Sequence, residues 1–128
     1  MRKFDLQERL IDFAVHIIEI EDKLKGVSAS RYLGDQILRS GISPALNYGE
    51  AQGSESRKDF IHKMKISLKE LRETNINLLI IKRANLHQEK EKLDDGLKEC
   101  NELTSTFVKS IETAKRNLAA EISVKSSK

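Results

Sequence analysis

Asp59 and His62 stand three residues apart, a spacing at which an acid and an imidazole share one face of a helix and can reach one metal ion. A di-iron bundle needs two such pairs and two further inward carboxylates; this sequence offers one pair. The pattern therefore reads as a helix-capping Asp followed by a surface His. The other imidazoles, His16 and His87, fall on different segments, and no nucleophile, His and acid group together as acyl transfer requires. Cys100 falls on an apolar helix seam, where a thiol acts as a small hydrophobe. Gly49 and Gly53 lack the Lys and Ser/Thr of a phosphate-binding loop. No catalytic residue, metal or cofactor is expected, and the chain reads as a non-enzyme.

Two other constellations have spacing that matters. Lys58, His62, Lys65, Lys69 and Arg72 recur at four- and three-residue steps. At about 100° per residue they stay within about 40° of one line along a helix. That line lies roughly 120° from the apolar seam of the same helix. A cationic stripe of this kind can follow the phosphates of a nucleic acid, so Lys58, Lys65, Lys69 and Arg72 are the candidate nucleic-acid contacts. Glu70 and Glu73 lie close by and dilute the field. With aromatics at 5% of the chain, little is available to stack on bases.

The second constellation is Arg39, Asn47 and Glu50 on the polar side of one helix, with Glu70 on the next. Arg39 and Glu50 are eleven residues apart, three turns, so each needs a partner elsewhere. Glu70 or Glu73 is the expected partner of Arg39. Held together, such groups would fix the register of the packed helices rather than do chemistry.

The elements that must carry these residues are helices. Leu6, Leu10, Phe13, Ile17, Ile20 and Leu24 recur at helical steps, predicting a first helix over about 6–25, capped by Asp5 and stopped at Gly26. A second is predicted over about 30–52, with Leu33, Ile37, Gly41, Pro44 and Tyr48 on one side. Leu38, Ile42 and Ala45 widen its apolar arc to nearly half the circumference, which implies more than one neighbour. Gly34, Gly41, Ala45 and Gly49 form a small-residue strip that lets another helix approach, and Pro44 is expected to kink the helix without ending it.

Gly53-Ser54-Glu55 forms the linker to a third helix, capped by Ser56 and ending near Asn85. Its expected seam is Phe60, Met64, Leu68, Leu71, Asn75 and Leu78. Residues 86–92 read as loop or helical extension. A fourth helix over about 93–122 carries Leu93, Leu97, Cys100, Thr104, Phe107 and Ile111 at alternating steps of four and three, a heptad repeat. Short connections make the expected fold all-α, an antiparallel up-down-up-down four-helix bundle over 1–122 with a polar tail at 123–128.

Composition agrees. The chain has 128 residues, 34% of them charged, with one Pro, no Trp and a single Cys. That excludes an internal disulfide and suits long helices with aliphatic seams. The net charge of +3 is mild, but residues 56–92 carry ten basic side chains against five acidic ones, which concentrates the excess on the third helix and its flank. No apolar run approaches the roughly 20 residues of a membrane span, no signal-type N-terminus is present, and a cytoplasmic location without a membrane partner is expected.

Leu38-Arg39-Ser40, Ile42-Ser43, Asn47-Tyr48-Gly49-Glu50-Ala51, Ser56, Asp59-Phe60 and Leu68-Lys69-Glu70-Leu71 together resemble the pattern of the bacterial 23S rRNA intervening-sequence proteins. These are four-helix bundles that look like relatives of the accessory protein of diversity-generating retroelements. The resemblance covers roughly residues 5–120. It implies a homopentamer, and association with structured RNA or with a nucleic-acid enzyme, a reverse transcriptase in the retroelement relatives. Pro44 departs from the non-proline residue usual in the second helix, and the +3 charge is milder than that of the retroelement accessory proteins. The alternative reading of the same surface is a protein-binding scaffold without nucleic-acid contact.

Overall fold

The computed structural model describes residues 5–126, which form four helices: α1 (Leu6–Asp22), α2 (Ser28–Gln52), α3 (Arg57–Arg83) and α4 (Lys90–Ser126). Residues 1–4 and 127–128, assigned from sequence to the start of the bundle and to its tail, lie outside the described residues. α2 packs between α1 and α3, and α4 closes the square against α3 and α1. The chain is thus an antiparallel up-down-up-down four-helix bundle.

Local chemistry sets the helix starts. The Asp5 carboxylate accepts from the Glu8 N–H at 3.2 Å, and the Ser56 hydroxyl oxygen from the Asp59 N–H at 3.1 Å, each satisfying a donor the first turn leaves free. α3 ends in a left-handed residue, Asn85 at φ 55°. The Leu86 N–H reaches Ile81 O and the Asn85 N–H reaches Lys82 O, the pairing that closes a helix C-terminus with Gly or Asn just past the cap.

α1 stops at Asp22, short of the expected Lys25, and α2 starts at Ser28, ahead of the expected Ser30. The intervening loop pairs with the α3–α4 loop: the Lys25 N–H donates to Leu86 O and the Gln88 N–H to Lys23 O. The Lys25 N–H and the Lys23 carbonyl therefore go across to another loop, while the Lys23 and Leu24 N–H groups still bond Ile20 O and Glu21 O of their own helix. His87 is buried at this junction. Its Nδ1 accepts from the Glu89 N–H, so Nε2 carries the proton that goes to Ile20 O at 2.9 Å.

α2 is continuous through Pro44, which is buried. The small-residue strip faces α1: a Cβ on Gly41 would stand 2.7 Å from Ile17 Cγ1, and Gln7 Nε2 donates to Ala45 O. α3 is rotated relative to its expected seam. Ile61, Met64, Ser67, Leu71, Thr74, Leu78 and Ile81 are buried, whereas Phe60, Leu68 and Asn75 are half-buried. Ser67 and Thr74 are small enough for α2 to approach closely, which turns the face between them inward.

α4 begins at Lys90 and runs through Ser126, so residues 123–126 continue the helix instead of forming the expected frayed tail. At 37 residues it is about 55 Å long, against about 25 Å for the 17 residues of α1. Among the described residues, only α2, α3 and α4 extend beyond the start of α1. There Tyr48 meets Phe107 edge to face at 6.0 Å, and Arg57 Nε bonds Glu121 Oε1 at 2.8 Å.

Candidate functional site

The capping and packing of α3 decide where its charges point. With Leu71, Thr74 and Leu78 turned inward, Lys58, Lys65, Lys69 and Arg72 are all exposed on the outer side of the helix. The stripe spans fourteen residues, about 21 Å of helix. None of the four has a carboxylate partner among the described residues, whereas Lys63, on an adjacent line, pairs with Asp59 at 3.8 Å. His62 is exposed on the same line.

α4 completes the site. Lys65, Lys69 and Arg72 form one wall of a groove of about 520 Å³ between α3 and α4, Lys115 adds a cation from the far wall, and Leu68, Ile76, Val108 and Ile111 contribute its apolar surface. Lys58 stands outside the groove, about two turns before Lys65. Two carboxylates edge it, Glu73 and Glu112. Sequence reading of α3 alone misses Lys115 and Val108. The heptad of α4 could have found them, because positions flanking its seam must border the neighbouring helix.

The second constellation comes together only in part. Arg39 Nη1 reaches Glu70 Oε2 at 3.2 Å and Nη2 reaches Glu73 Oε2 at 3.2 Å, tying α2 to α3. Arg39 is 55% exposed, so this tie is a weak clamp. Asn47 and Glu50 do not join it. The Asn47 amide donates to Ser43 Oγ at 2.8 Å on its own helix, and Glu50 is exposed without a side-chain partner among the described residues. The reason is length: Asn47 and Glu50 lie about 12 and 16 Å along α2 from Arg39. The buried polar link between these helices is instead Ser40 with Thr74, whose hydroxyl oxygens are 2.7 Å apart.

Cys100 is fully buried, its thiol directed to Leu71 O at 3.2 Å. Burial pushes its pKa up to about 12, which leaves little thiolate at neutral pH. On α1, Arg9 Nη2 holds Glu99 Oε1 at 2.6 Å, and that hydrogen bond raises the guanidinium pKa above its ordinary value. Among the described residues no three His, Cys, Asp or Glu side chains converge in the manner of a metal site. No helix of the described residues is long and apolar enough to cross a membrane.

The model of the 23S rRNA-intervening sequence proteins matches residues 2–109 of this sequence. The chain belongs to that family. The match takes in all of α1–α3 and the first half of α4, and therefore the whole cationic stripe. A crystal structure of a protein of unknown function from the S23 ribosomal protein family of Bacteroides thetaiotaomicron VPI-5482 superimposes with a TM-score of 0.73 at 30% identity, covering 84% of this chain and 98% of that one. No curated protein matches the chain. The protein from the S23 family thus shares the bundle over nearly its whole length.

Proposed function

We propose that this intervening-sequence protein is a non-catalytic, self-associating bundle that holds structured RNA by its phosphates in the cytoplasm. The observation that carries the RNA reading is the line of Lys58, Lys65, Lys69 and Arg72, four exposed cations without a carboxylate partner among the described residues. Cations left unpaired within a fold are available to displace counterions from a polyanion. Four phosphate contacts predict roughly a hundredfold loss of affinity between 50 and 200 mM salt. The test is retention of structured RNA across that salt range. Changing all four residues to Glu is expected to abolish retention with the helical spectrum unchanged; retention equal to the parent protein's would remove the reading.

Self-association rests on a second face. Ile11, Val15, Ile18 and Leu46 are each 43–66% exposed along α1 and α2, and Leu38 and Ile42 are only half-buried between them. An apolar face of this extent on a small bundle is a contact surface. The homopentamer implied by the family resemblance predicts a solution mass five times the 14.6 kDa of one chain, read by light scattering.

The apolar surface of the α3–α4 groove favours one alternative, a protein-binding scaffold. Leu68, Ile76, Val108 and Ile111 offer nothing to a phosphate and much to an amphipathic helix. Capture of one protein after nuclease treatment, insensitive to salt, would select this alternative.

A further inference from the structure

The α3–α4 groove holds two features that phosphate binding leaves unused. Its floor is apolar, with Leu68 and Ile76 from α3 and Val108 and Ile111 from α4. Its far wall carries Glu112, an exposed carboxylate with no side-chain partner among the described residues. Glu73, the other carboxylate at the edge, is already held by Arg39. Against a polyanion an apolar floor adds nothing, and a free carboxylate repels. Both features suit a different part of a nucleotide, its base.

Position along the bundle relates these features to the cations. Arg57–Glu121 and Lys82–Asp94, each at 2.8 Å, tie α3 to antiparallel α4 at two heights. Between those ties Glu112 stands level with Lys65, and Val108 level with Lys69, to within about one turn. Lys115 follows Glu112 by three residues and is its neighbour on the same face of α4. Lys65, Lys69 and Arg72 therefore run along one lip, with the apolar floor and then Glu112 and Lys115 across from them. A strand whose phosphates follow that lip can turn one base onto the floor. The base must be unpaired, because a helix hides the faces and Watson–Crick edges of its bases. The groove's volume of about 520 Å³ lies within the roughly 300–1,000 Å³ of small-ligand sites, room for a single nucleotide.

The carboxylate selects among the bases, since it accepts hydrogen bonds and donates none. Guanine sets two donors, N1–H and the N2 amino group, side by side on its Watson–Crick edge, with the acceptor O6 next to them. Adenine has the same two rings but sets a bare acceptor, N1, beside its N6 amino group. We infer that the α3–α4 groove seats one unpaired guanine of the bound RNA, a face on Leu68, Ile76, Val108 and Ile111, the N1 and N2 donors on Glu112 and O6 on Lys115. The inference rests on the RNA reading above and names the kind of RNA, one with a bulged or looped guanosine beside the phosphates held by Lys65, Lys69 and Arg72. Glu112, a liability for phosphate binding, becomes the group that reads the base.

The test measures binding of the full chain, at one salt concentration, to three RNA hairpins of one sequence: fully paired, with a single bulged adenosine, and with a single bulged guanosine. The guanosine bulge is expected to bind roughly fivefold or more tighter than either of the others, the lower end for a bidentate base contact. Glu112→Gln is expected to erase the difference between the two bulges. Ile76→Gln/Val108→Gln removes apolar floor at constant charge, and is expected to bring the guanosine bulge down to the paired hairpin, whose own binding stays as it was. Should the double variant fail to fold, Ile76→Gln alone serves, at a side chain 58% exposed, with a reduced guanosine preference expected. Failure of all three RNAs to bind would sink the RNA reading and this inference together. Equal binding of the three hairpins, or of the two bulges, would sink the inference alone. A guanosine preference left unchanged by either variant would also overturn it, and would leave the apolar floor to a protein partner.

Discussion

The hydroxyl oxygens of Ser40 and Thr74 lie 2.7 Å apart, buried between α2 and α3. Each hydroxyl has one proton and each has a carbonyl of its own helix in reach, Gln36 O at 2.9 Å for Ser40 and Glu70 O at 2.9 Å for Thr74. Only one proton can lie between the two oxygens, so one hydroxyl donates across the interface while the other donates to its own backbone. Two such arrangements exist, and both leave every proton bonded. A single loss, Ser40→Ala or Thr74→Val, therefore leaves the survivor a carbonyl to donate to. Each is expected to cost about 0.5–1.5 kcal/mol, with a coupling of about 1 kcal/mol in the double-mutant cycle measured by urea unfolding. Strict additivity would mean the two hydroxyls do not bond across the helices.

Gly41 sets how closely α1 approaches α2. In an open helix Gly→Ala is worth roughly 1 kcal/mol of stability. Here the added Cβ would stand 2.7 Å from Ile17 Cγ1 and 3.0 Å from Cγ2, and a β-branched side chain has little freedom to turn away. Gly41→Ala is expected to destabilise by about 1–3 kcal/mol, with Ile17→Ala suppressing the clash in the double variant. Gly26→Ala, with nothing within 4 Å of its added Cβ, is the control and should stay within about 0.5 kcal/mol.

Much of this fold is legible in the sequence because its main signals are local. The Asp5 and Ser56 caps, the seam of α1, the small-residue strip of α2 and most of the seam of α4 follow from residue type and helical period, although in α4 Leu103 takes the buried place expected of Thr104, which is half-buried. The rotated seam of α3 is not legible in the same way. Apolar periodicity favours Phe60, Leu68 and Asn75, whereas what turns the helix is the fit of Ser67 and Thr74 to α2, a property of two helices together. The loop pairing that ends α1 at Asp22 is likewise non-local. For the candidate site, the exposure of Lys58, Lys65, Lys69 and Arg72 follows from helix geometry alone. The groove they border, with Lys115 on its far wall, exists only once α4 is docked.

His87 is the polar pin of the loop end of the bundle. It accepts from the Glu89 N–H and donates to Ile20 O, joining the start of α4 to the end of α1. An apolar replacement of similar size removes both bonds. Ile20 O keeps a bond from the Lys23 N–H, but the Glu89 N–H loses its partner. His87→Leu is expected to cost about 1–3 kcal/mol. Hydrogen exchange should show the loss first at Lys25 and Gln88, whose amides pair the two loops. Unchanged exchange at those amides would show that the backbone bonds hold the loops without the imidazole.

Cys100 gives the bundle a signature at alkaline pH. Burial is the main cause that raises its thiol from an ordinary value of 9.0 to about 12. The folded state therefore keeps the proton that the unfolded chain releases above pH 9. The resulting stability is fully present below pH 9 and is lost as pH rises from 9 towards 12, at up to about 1.4 kcal/mol per pH unit. Cys100→Ala lowers stability at neutral pH by leaving a small cavity, and it should also remove this part of the slope. Burial raises the Tyr48 hydroxyl as well, so some decline above pH 10 remains in the variant. The measurement is urea unfolding of both proteins between pH 8 and 10.5, and parallel stability curves would show that the thiolate is tolerated in the fold. The same burial predicts that a disulfide reagent labels Cys100 at the rate of unfolding rather than at the rate of a free thiol.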